Sequence, residues 1–469
     1  MRSSLQLLAV SALPLAQVSA ETVLGAYVFA RHGDRTAKIL KNTELTDLGY
    51  REVFTAGSSY HSRYINSSSS QYVAGISEDV VKLSQLTASA PADAVLQNSA
   101  TGFLQGLYPP VGDLASQKLR NKTTVHAPLD GYQLIPLSLI DSGASSEDST
   151  WLQSTSNCQN GIVSSNNYYE SKLYNDLLAS TKDFYEDLAP LINTSFSESD
   201  RTFKNAYSIF DYLNVGYIHN TTNVPSAEQL HQASLYANIE QYNLAYNSTE
   251  KIRAIAGQTL AAEMLMGLNE TITSKGKVKL HVEFGAYGTF LSYFGLAQLP
   301  EVNVNFTGVP DYASSMAWEL VTNSTSDSFP DPKDISVRFY FQNGTLSSSD
   351  DLTEYRLYGE STTTIPWSTF VEKTEKIAIM TTDQWCDACG NTDGQCSSSG
   401  DSGSGSASTD SASGGSGGIS KAVAGVIGAM VTLGVILGLE ALILLLGGFR
   451  LTRKGKGAAL AAAEVAENK

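Results

Sequence analysis

Positive charge is scarce in this sequence. Lysine and arginine total 31 against 47 aspartates and glutamates, giving a formal charge of −16 over 469 residues, a balance that speaks against nucleic acid as a partner. An anionic ligand would need a locally basic pocket. Arginine is missing altogether between Arg63 and Arg120, and the nearest lysine in that gap is Lys82. Histidine is also thin: there are six, and none precedes an aspartate. Cysteine is limited to Cys158, Cys386, Cys389 and Cys396. An even number in an oxidising compartment reads as two disulfides, in one of three pairings. Cys386-Asp-Ala-Cys389 has no second such pair nearby, so it reads as structural rather than as a redox or zinc motif.

Charge is absent again near the C-terminus, and there the absence marks a boundary. Within 421–449 only Glu440 is charged beyond Lys421, and since about 20 apolar residues span the hydrocarbon, this stretch is expected to be a transmembrane helix. Glu440 is costly at mid-bilayer and is a candidate partner position. Arg450, Arg453, Lys454 and Lys456 follow directly, which puts the tail 450–469 in the cytosol and makes the chain a type I single-pass protein. Residues 397–420 are almost wholly Ser, Gly, Ala and Asp, a flexible linker. Residues 1–20 have an early Arg2, an apolar run and a Val18-Ser19-Ala20 ending, the layout of a signal peptide. The folded part is therefore 21–396, an ectodomain routed through the secretory pathway to the cell surface. Nine sequons fall within it, at Asn66, Asn121, Asn193, Asn220, Asn247, Asn269, Asn305, Asn323 and Asn343, as a lumenal or extracellular glycoprotein would have them.

A folded segment of this size exceeds the range in which single cores usually stop growing, so a large α/β domain with an insertion, or two domains, is expected. Strands alternating with helical stretches point to a mixed or parallel sheet flanked by helices. Residues 23–30 form its central strand in this reading, and about 120–270 a smaller, mainly helical insertion. Leu45–Ile65 reads as a helix after a turn, with Arg63 a packing or surface residue.

The chemistry begins where the apolar run Val23–Ala30 stops abruptly at Arg31-His32-Gly33-Asp34-Arg35-Thr36. Ligands in open α/β sheets bind beyond the carboxyl ends of strands, and this edge presents an imidazole between two guanidiniums. Planar guanidinium forks pair with phosphoryl oxygens while an imidazole can attack phosphorus. The pattern suits a phosphoryl group.

Those residues resemble the histidine acid phosphatases, whose signature is Arg-His-Gly-x-Arg-x-Pro; Ala37 stands here in place of the proline. The resemblance continues through Leu45-Thr46-Asp47-Leu48-Gly49, Ser62-Arg63-Tyr64, Ser99-Ala100 and Gly106-Leu107-Tyr108-Pro109-Pro110, then through Phe284-Gly285-Ala286-Tyr287-Gly288-Thr289-Phe290, Tyr312-Ala313-Ser314-Ser315 and Ser336-Val337-Arg338-Phe339-Tyr340. It covers most of the ectodomain and least of 140–250. It implies a histidine-phosphatase-like fold, His32 as the nucleophile that becomes phosphorylated, and Arg31 and Arg35 as phosphate ligands, with neither metal nor cofactor. It also exposes two departures. The family's third arginine, four residues ahead of the Ser-Ala pair, falls on Val95. Its His-Asp pair, which supplies the proton donor, falls on Ala286-Tyr287. A second register would use His281-Val282-Glu283 in the manner of the His-Ala-Glu found in some relatives, making Glu283, with His281, a candidate acid. Otherwise His281 and Glu283 are alternate residues on one face of a strand. Two functions follow: a phosphomonoester hydrolase weakened by loss of its donor, or an inactive glycosylated surface protein that keeps the fold and part of the phosphate pocket. Substrates in the family range from simple phosphomonoesters to inositol phosphates. Nothing in the sequence speaks to oligomeric state.

Overall fold

The first apolar run becomes the middle of the sheet. In a computed structural model of the protein, residues 21–140, 157–326, 328–346, 352–392 and 396 are described; the leader at 1–20, the linker at 397–420, the apolar span at 421–449 with Glu440, and the tail at 450–469 lie outside them. Ten strands occur in this part: β1 (Thr22–Arg31), β2 (Leu86–Pro91), β3 (Ser116–Lys118), β4 (Thr124–His126), β5 (Ser138–Ile140), β6 (Leu280–Gly285), β7 (Ser315–Thr322), β8 (Ile335–Gln342), β9 (Thr353–Tyr355) and β10 (Ile365–Pro366). Apart from the β3–β4 hairpin they form one sheet in the order β10-β8-β7-β1-β6-β2-β5, with β9 on β8. β1 runs parallel to β6 and antiparallel to β7, so the sheet is mixed and β1 is internal. Among the described residues no helix is long and apolar enough to cross a membrane.

Alternation along β1 divides the molecule into two apolar layers. Leu24, Tyr27 and Phe29 face one core, with Leu260, Met264 and Leu268 of the helix Ile255–Thr273, Phe290 and Tyr293 of the helix Tyr287–Leu296, and Phe370. Val23, Ala26, Val28 and Ala30 face the other, with Val53, Ala56 and Tyr60 of the helix Asp47–Tyr60 and Leu96, Ala100 and Phe103 of the helix Ala94–Leu107. A sheet buried on both faces explains why β1 reads as a continuous apolar run rather than an alternating one.

A third core, rich in tyrosine and phenylalanine, lies around the helices Ala206–His219 and Ala227–Ala245. The second of these begins at a capping box between Ser226 and Gln229. The helical region was expected over about 120–270, and the structure divides that interval differently. β5 pairs with β2, so the sheet continues to Ile140, and the helix Ile255–Thr273 belongs to the sheet's own covering layer because its apolar side chains meet Tyr27 and Phe29. The expected helix at 45–65 starts at Asp47 and ends in one π turn, His61–Ile65. Arg63 in that turn is buried, with its guanidinium 2.7 Å from Glu319. It is a packing residue. The disulfides join Cys158 to Cys389 and Cys386 to Cys396.

Candidate active site

The turn after β1 is held from three sides. From the helix Asp47–Tyr60, the N-cap Thr46 donates through Oγ1 to Asp34 and accepts from the Gly49 amide at 3.1 Å. Contact here is so close that a Cβ on Gly33 would lie 2.2 Å from the Gly49 carbonyl oxygen; only hydrogen fits at either position. From the helix Ala94–Leu107, Ser99 Oγ accepts from the Gly33 amide at 3.3 Å. From the segment before β7, the Ala313 amide donates to the His32 carbonyl, while Ser314 O accepts from the Arg31 amide, both at 2.8 Å. Three of the short motifs noted in the sequence, Leu45–Gly49, Ser99-Ala100 and Tyr312–Ser315, thus have a mechanical task in supporting it.

His32 is fully buried, and its Nδ1–H donates to the Gly33 carbonyl at 2.8 Å. That bond fixes the tautomer with the lone pair on Nε2, the nitrogen able to attack phosphorus. Arg31 and Arg35 are buried beside it. The Tyr312 ring is 5.5 Å from the imidazole and packs against both guanidiniums, at 4.7 Å from Arg31 and 5.9 Å from Arg35. Arg31 also donates to the Pro310 carbonyl. Arg35 forms a buried ion pair with Asp211 at 3.1 Å and lies 3.4 Å from the Tyr207 hydroxyl. Both partners come from the helix Ala206–His219, which also sends His219 Nε2 to within 2.7 Å of Asp34.

The two departures from the phosphatase pattern occupy informative places. Val95 is buried in the first turn of its helix, one turn ahead of Ser99, so it shares the face that meets the Gly33 turn. Ala286 caps the helix Tyr287–Leu296 directly beyond the residue that pairs with Arg31 in the sheet. Tyr287 turns its ring to Arg31 at 5.3 Å and to Tyr207 at 4.5 Å, and its hydroxyl donates to Gln241 at 2.9 Å. An aromatic ring therefore stands over the guanidinium where the family pattern would supply an acid.

His281 and Glu283 are not brought to this mouth. They lie inside the sheet, opposite Tyr27 and Phe29 of β1. His281 contacts the Thr87 hydroxyl at 2.9 Å and the Thr271 hydroxyl at 3.2 Å, and burial holds its pKa down at about 4. Glu283 accepts from the Tyr27 hydroxyl. Burial, reinforced by the neighbouring Glu263 carboxylate, pushes its pKa up.

A cavity of about 240 Å³ opens beside Arg31, lined also by Glu52, Tyr207, Phe210, Asp211, Asp311 and Tyr312 among others. Glu52 accepts from the Asp34 amide at 2.8 Å, and burial raises its pKa despite that bond and the nearby Arg31 charge. Sequence reasoning did not find Glu52, Asp211 or Tyr207. Glu52 could have been found by helical spacing, three residues past Gly49 on the face that meets the turn. Asp211 and Tyr207 carry no local signal.

The chain has an α/β fold with a mixed central sheet flanked by helices, and solved structures of phytases share this architecture. Hafnia alvei phytase superposes with a TM-score of 0.51 at 11% identity, over 79% of this chain and 98% of that one. Klebsiella sp. ASR1 phytase does so with a TM-score of 0.50 at 12% identity, over 76% and 96%. The likeness is one of fold. No protein-family model and no curated protein sequence matches the chain.

Proposed function

We propose that this protein hydrolyses phosphomonoesters through a phosphohistidine on His32. The observation that carries the reading is the buried imidazole with Nδ1 committed to Gly33 and a guanidinium on either side in sequence. Nε2 attacks phosphorus, the bond to the ester oxygen breaks, and the alcohol leaves with a proton. Water then attacks the phosphohistidine, releasing inorganic phosphate and the imidazole. Arg31 and Arg35 balance charge on the phosphoryl oxygens. The carboxyl best suited to protonate the leaving oxygen is Glu52, which lines the cavity beside Arg31 and whose burial favours its protonated form. Without a dedicated donor at Ala286-Tyr287, esters of acidic alcohols should turn over faster than alkyl esters. Comparing p-nitrophenyl phosphate with glycerol phosphate on the full chain tests this. No hydrolysis of either ends the reading.

One observation favours a second reading, a non-catalytic protein that keeps the fold. Asp211 already occupies Arg35 with its carboxylate, so an incoming phosphate must displace that carboxylate or accept it as a neighbour. Titration with inorganic phosphate separates the two, since a protein of the second kind binds it weakly and turns nothing over.

The reading includes attachment to a membrane by 421–449, with the domain on the far side from the basic tail. The two disulfides support an oxidising compartment. All nine sequon asparagines are at least partly exposed, which leaves them open to glycosylation. A C-terminal tag that stays with the membrane fraction, together with a shift in mobility on deglycosylation, checks these points.

A further inference from the structure

The proposed phosphoryl site is closed. His32 and Arg35 are 0% exposed and Arg31 4%, and neither His32 nor Arg35 is among the residues that line the cavity beside Arg31. A phosphoryl group cannot touch the imidazole until something moves. Two elements cover it. The first is the segment before β7, where the Tyr312 ring lies against His32 and both guanidiniums and the Pro310 carbonyl accepts from Arg31. The second is the helix Ala206–His219. Both line the cavity, so they meet at a gap rather than in a continuous core.

One buried carboxylate fastens the two covers to the turn. Asp211 Oδ1 is 3.1 Å from Arg35 and accepts from the Tyr312 hydroxyl at 3.4 Å, while Oδ2 accepts from the Lys38 amide at 2.9 Å. Tyr207 and His219, toward the two ends of the helix, add polar contacts to Arg35 and Asp34. Ile209 and Leu213 of the same helix are buried elsewhere, in the third core. The helix is thus anchored by its apolar side and meets the turn through polar groups. A guanidinium fork pairs with phosphate as well as with carboxylate, so the bond at Arg35 is one that a phosphoryl group can take over. Until it does, the tethered carboxylate competes at a high effective concentration.

We propose that Asp211 is the latch of a closed site: it occupies Arg35 in place of phosphate, and a phosphoryl group that displaces it frees Tyr312 and the helix Ala206–His219 from the turn. The inference rests on Arg35 being a phosphate ligand beside His32, and adds how that site opens. Binding then includes the cost of releasing the latch, and the apparent affinity is reduced by the fraction of molecules that are open.

The test uses the full chain and inorganic phosphate. Asp211→Asn keeps the shape and removes the charge. It should bind phosphate about tenfold more tightly than the unaltered protein by calorimetry, and KM for p-nitrophenyl phosphate should fall by a similar factor while kcat changes less. Tyr312→Phe, which loses only the hydroxyl, should move both in the same direction by a smaller factor. In the unaltered protein, saturating phosphate should speed deuterium exchange along the helix and at the Lys38 amide, which loses its acceptor. A ligand that merely fills a preformed site slows exchange instead. Unchanged or weaker phosphate binding in Asp211→Asn overturns the proposal, as does slower exchange at Lys38 and along the helix in phosphate. If Asp211→Asn does not fold, Tyr312→Phe and the exchange measurement decide. The two readings fail separately. Turnover of p-nitrophenyl phosphate with a phosphate affinity that neither variant alters removes the latch and leaves the hydrolase. Tighter phosphate binding in the variants without turnover removes the hydrolase and leaves the latch.

Discussion

Two clusters of buried ionisable groups share the adjacent strands β1 and β6, one at their carboxyl ends and the other a few residues further back, and burial treats their charges in opposite ways. At the mouth, Arg31 and Arg35 are packed against Tyr312, Arg35 is paired with Asp211, and a cavity adjoins them. Charge survives there because partners and an opening compensate for lost hydration. Inside, Tyr27, His281 and Glu283 face the helix Ile255–Thr273, and burial favours the neutral form of each. Similar residue types therefore border an opening in one place and make a hydrogen-bonded core in the other. Depth along the strand decides which.

The comparison is broken most directly by exchanging the roles of its two histidines. His32→Ala should lower phosphatase activity about 10³-fold or more, as loss of a nucleophile does, with little change in melting temperature. His281→Ala should do the reverse, lowering the melting temperature while leaving activity per folded molecule intact. If His281→Ala removes activity from a protein that melts normally, the interior cluster takes part in the chemistry after all.

Next in size is the ion pair that separates mouth from interior. Asp211→Asn removes the carboxylate paired with the buried Arg35 and should cost about 3 kcal/mol or more. Saturating inorganic phosphate should recover part of that loss by pairing with the Arg35 guanidinium in place of the carboxylate. A melting curve of the variant with and without phosphate reads both effects. Failure of phosphate to restore stability means that Arg35 is not a phosphate ligand.

The proton donor gives a smaller and more selective effect. Glu52→Gln should slow hydrolysis of alkyl phosphates by about 10- to 10²-fold and of aryl phosphates by less. Installing the family pair by Ala286→His with Tyr287→Asp should favour alkyl esters in the opposite sense, with the gain limited while Val95 supplies no third guanidinium. Equal effects on both ester types would mean that neither position delivers a proton.

The smallest effect is on stability against pH. On the helix Ala227–Ala245, where it accepts from the Tyr207 amide, Glu240 is raised by burial from 4.5 to about 8. The folded protein therefore keeps a proton that the unfolded chain releases, and this contribution is complete below 4.5 and is lost as pH climbs towards 8. Glu283 shifts the same way. His281, lowered from 6.5 to about 4, runs opposite: its contribution is present above 6.5 and is lost as pH falls towards 4. Between about 6.5 and 8 the carboxyls act without that opposition, so the melting temperature should fall by a few degrees, on the order of 2 kcal/mol per carboxyl at most. Glu240→Gln should flatten the fall. A melting temperature that is level or rising over this interval would contradict the neutral interior.

Local signals made some of this legible in advance and left the rest dark for a physical reason. The apolar run before Arg31, the Arg-His-Gly-Asp-Arg turn and the small-residue contacts at Gly33 and Gly49 each depend on a few consecutive residues, so a single sequence carries them. Gly285-Ala286-Tyr287 lies beside Arg31 at the end of a strand, a position that can be counted along the sequence. His281-Val282-Glu283 matched a template in composition, but its distance from the strand end puts it inside the sheet, and only the register with Tyr27 and Phe29 reveals that. Asp211 and Tyr207 reach the site from a helix about 175 residues further along. No neighbour in sequence announces such a meeting.

The position of β1 also sets when the protein can begin to work. Its two partners in the sheet, β6 and β7, are made about 250 residues and more after it, and the segment bracketing His32 immediately precedes β7. At synthesis rates of roughly 5–20 residues per second, the first strand waits on the order of ten seconds to a minute for either neighbour. Throughout that time an apolar run with two unpaired edges must be kept from other chains. A nascent chain halted before residue 280 therefore has every residue of the Arg-His-Gly motif and no site.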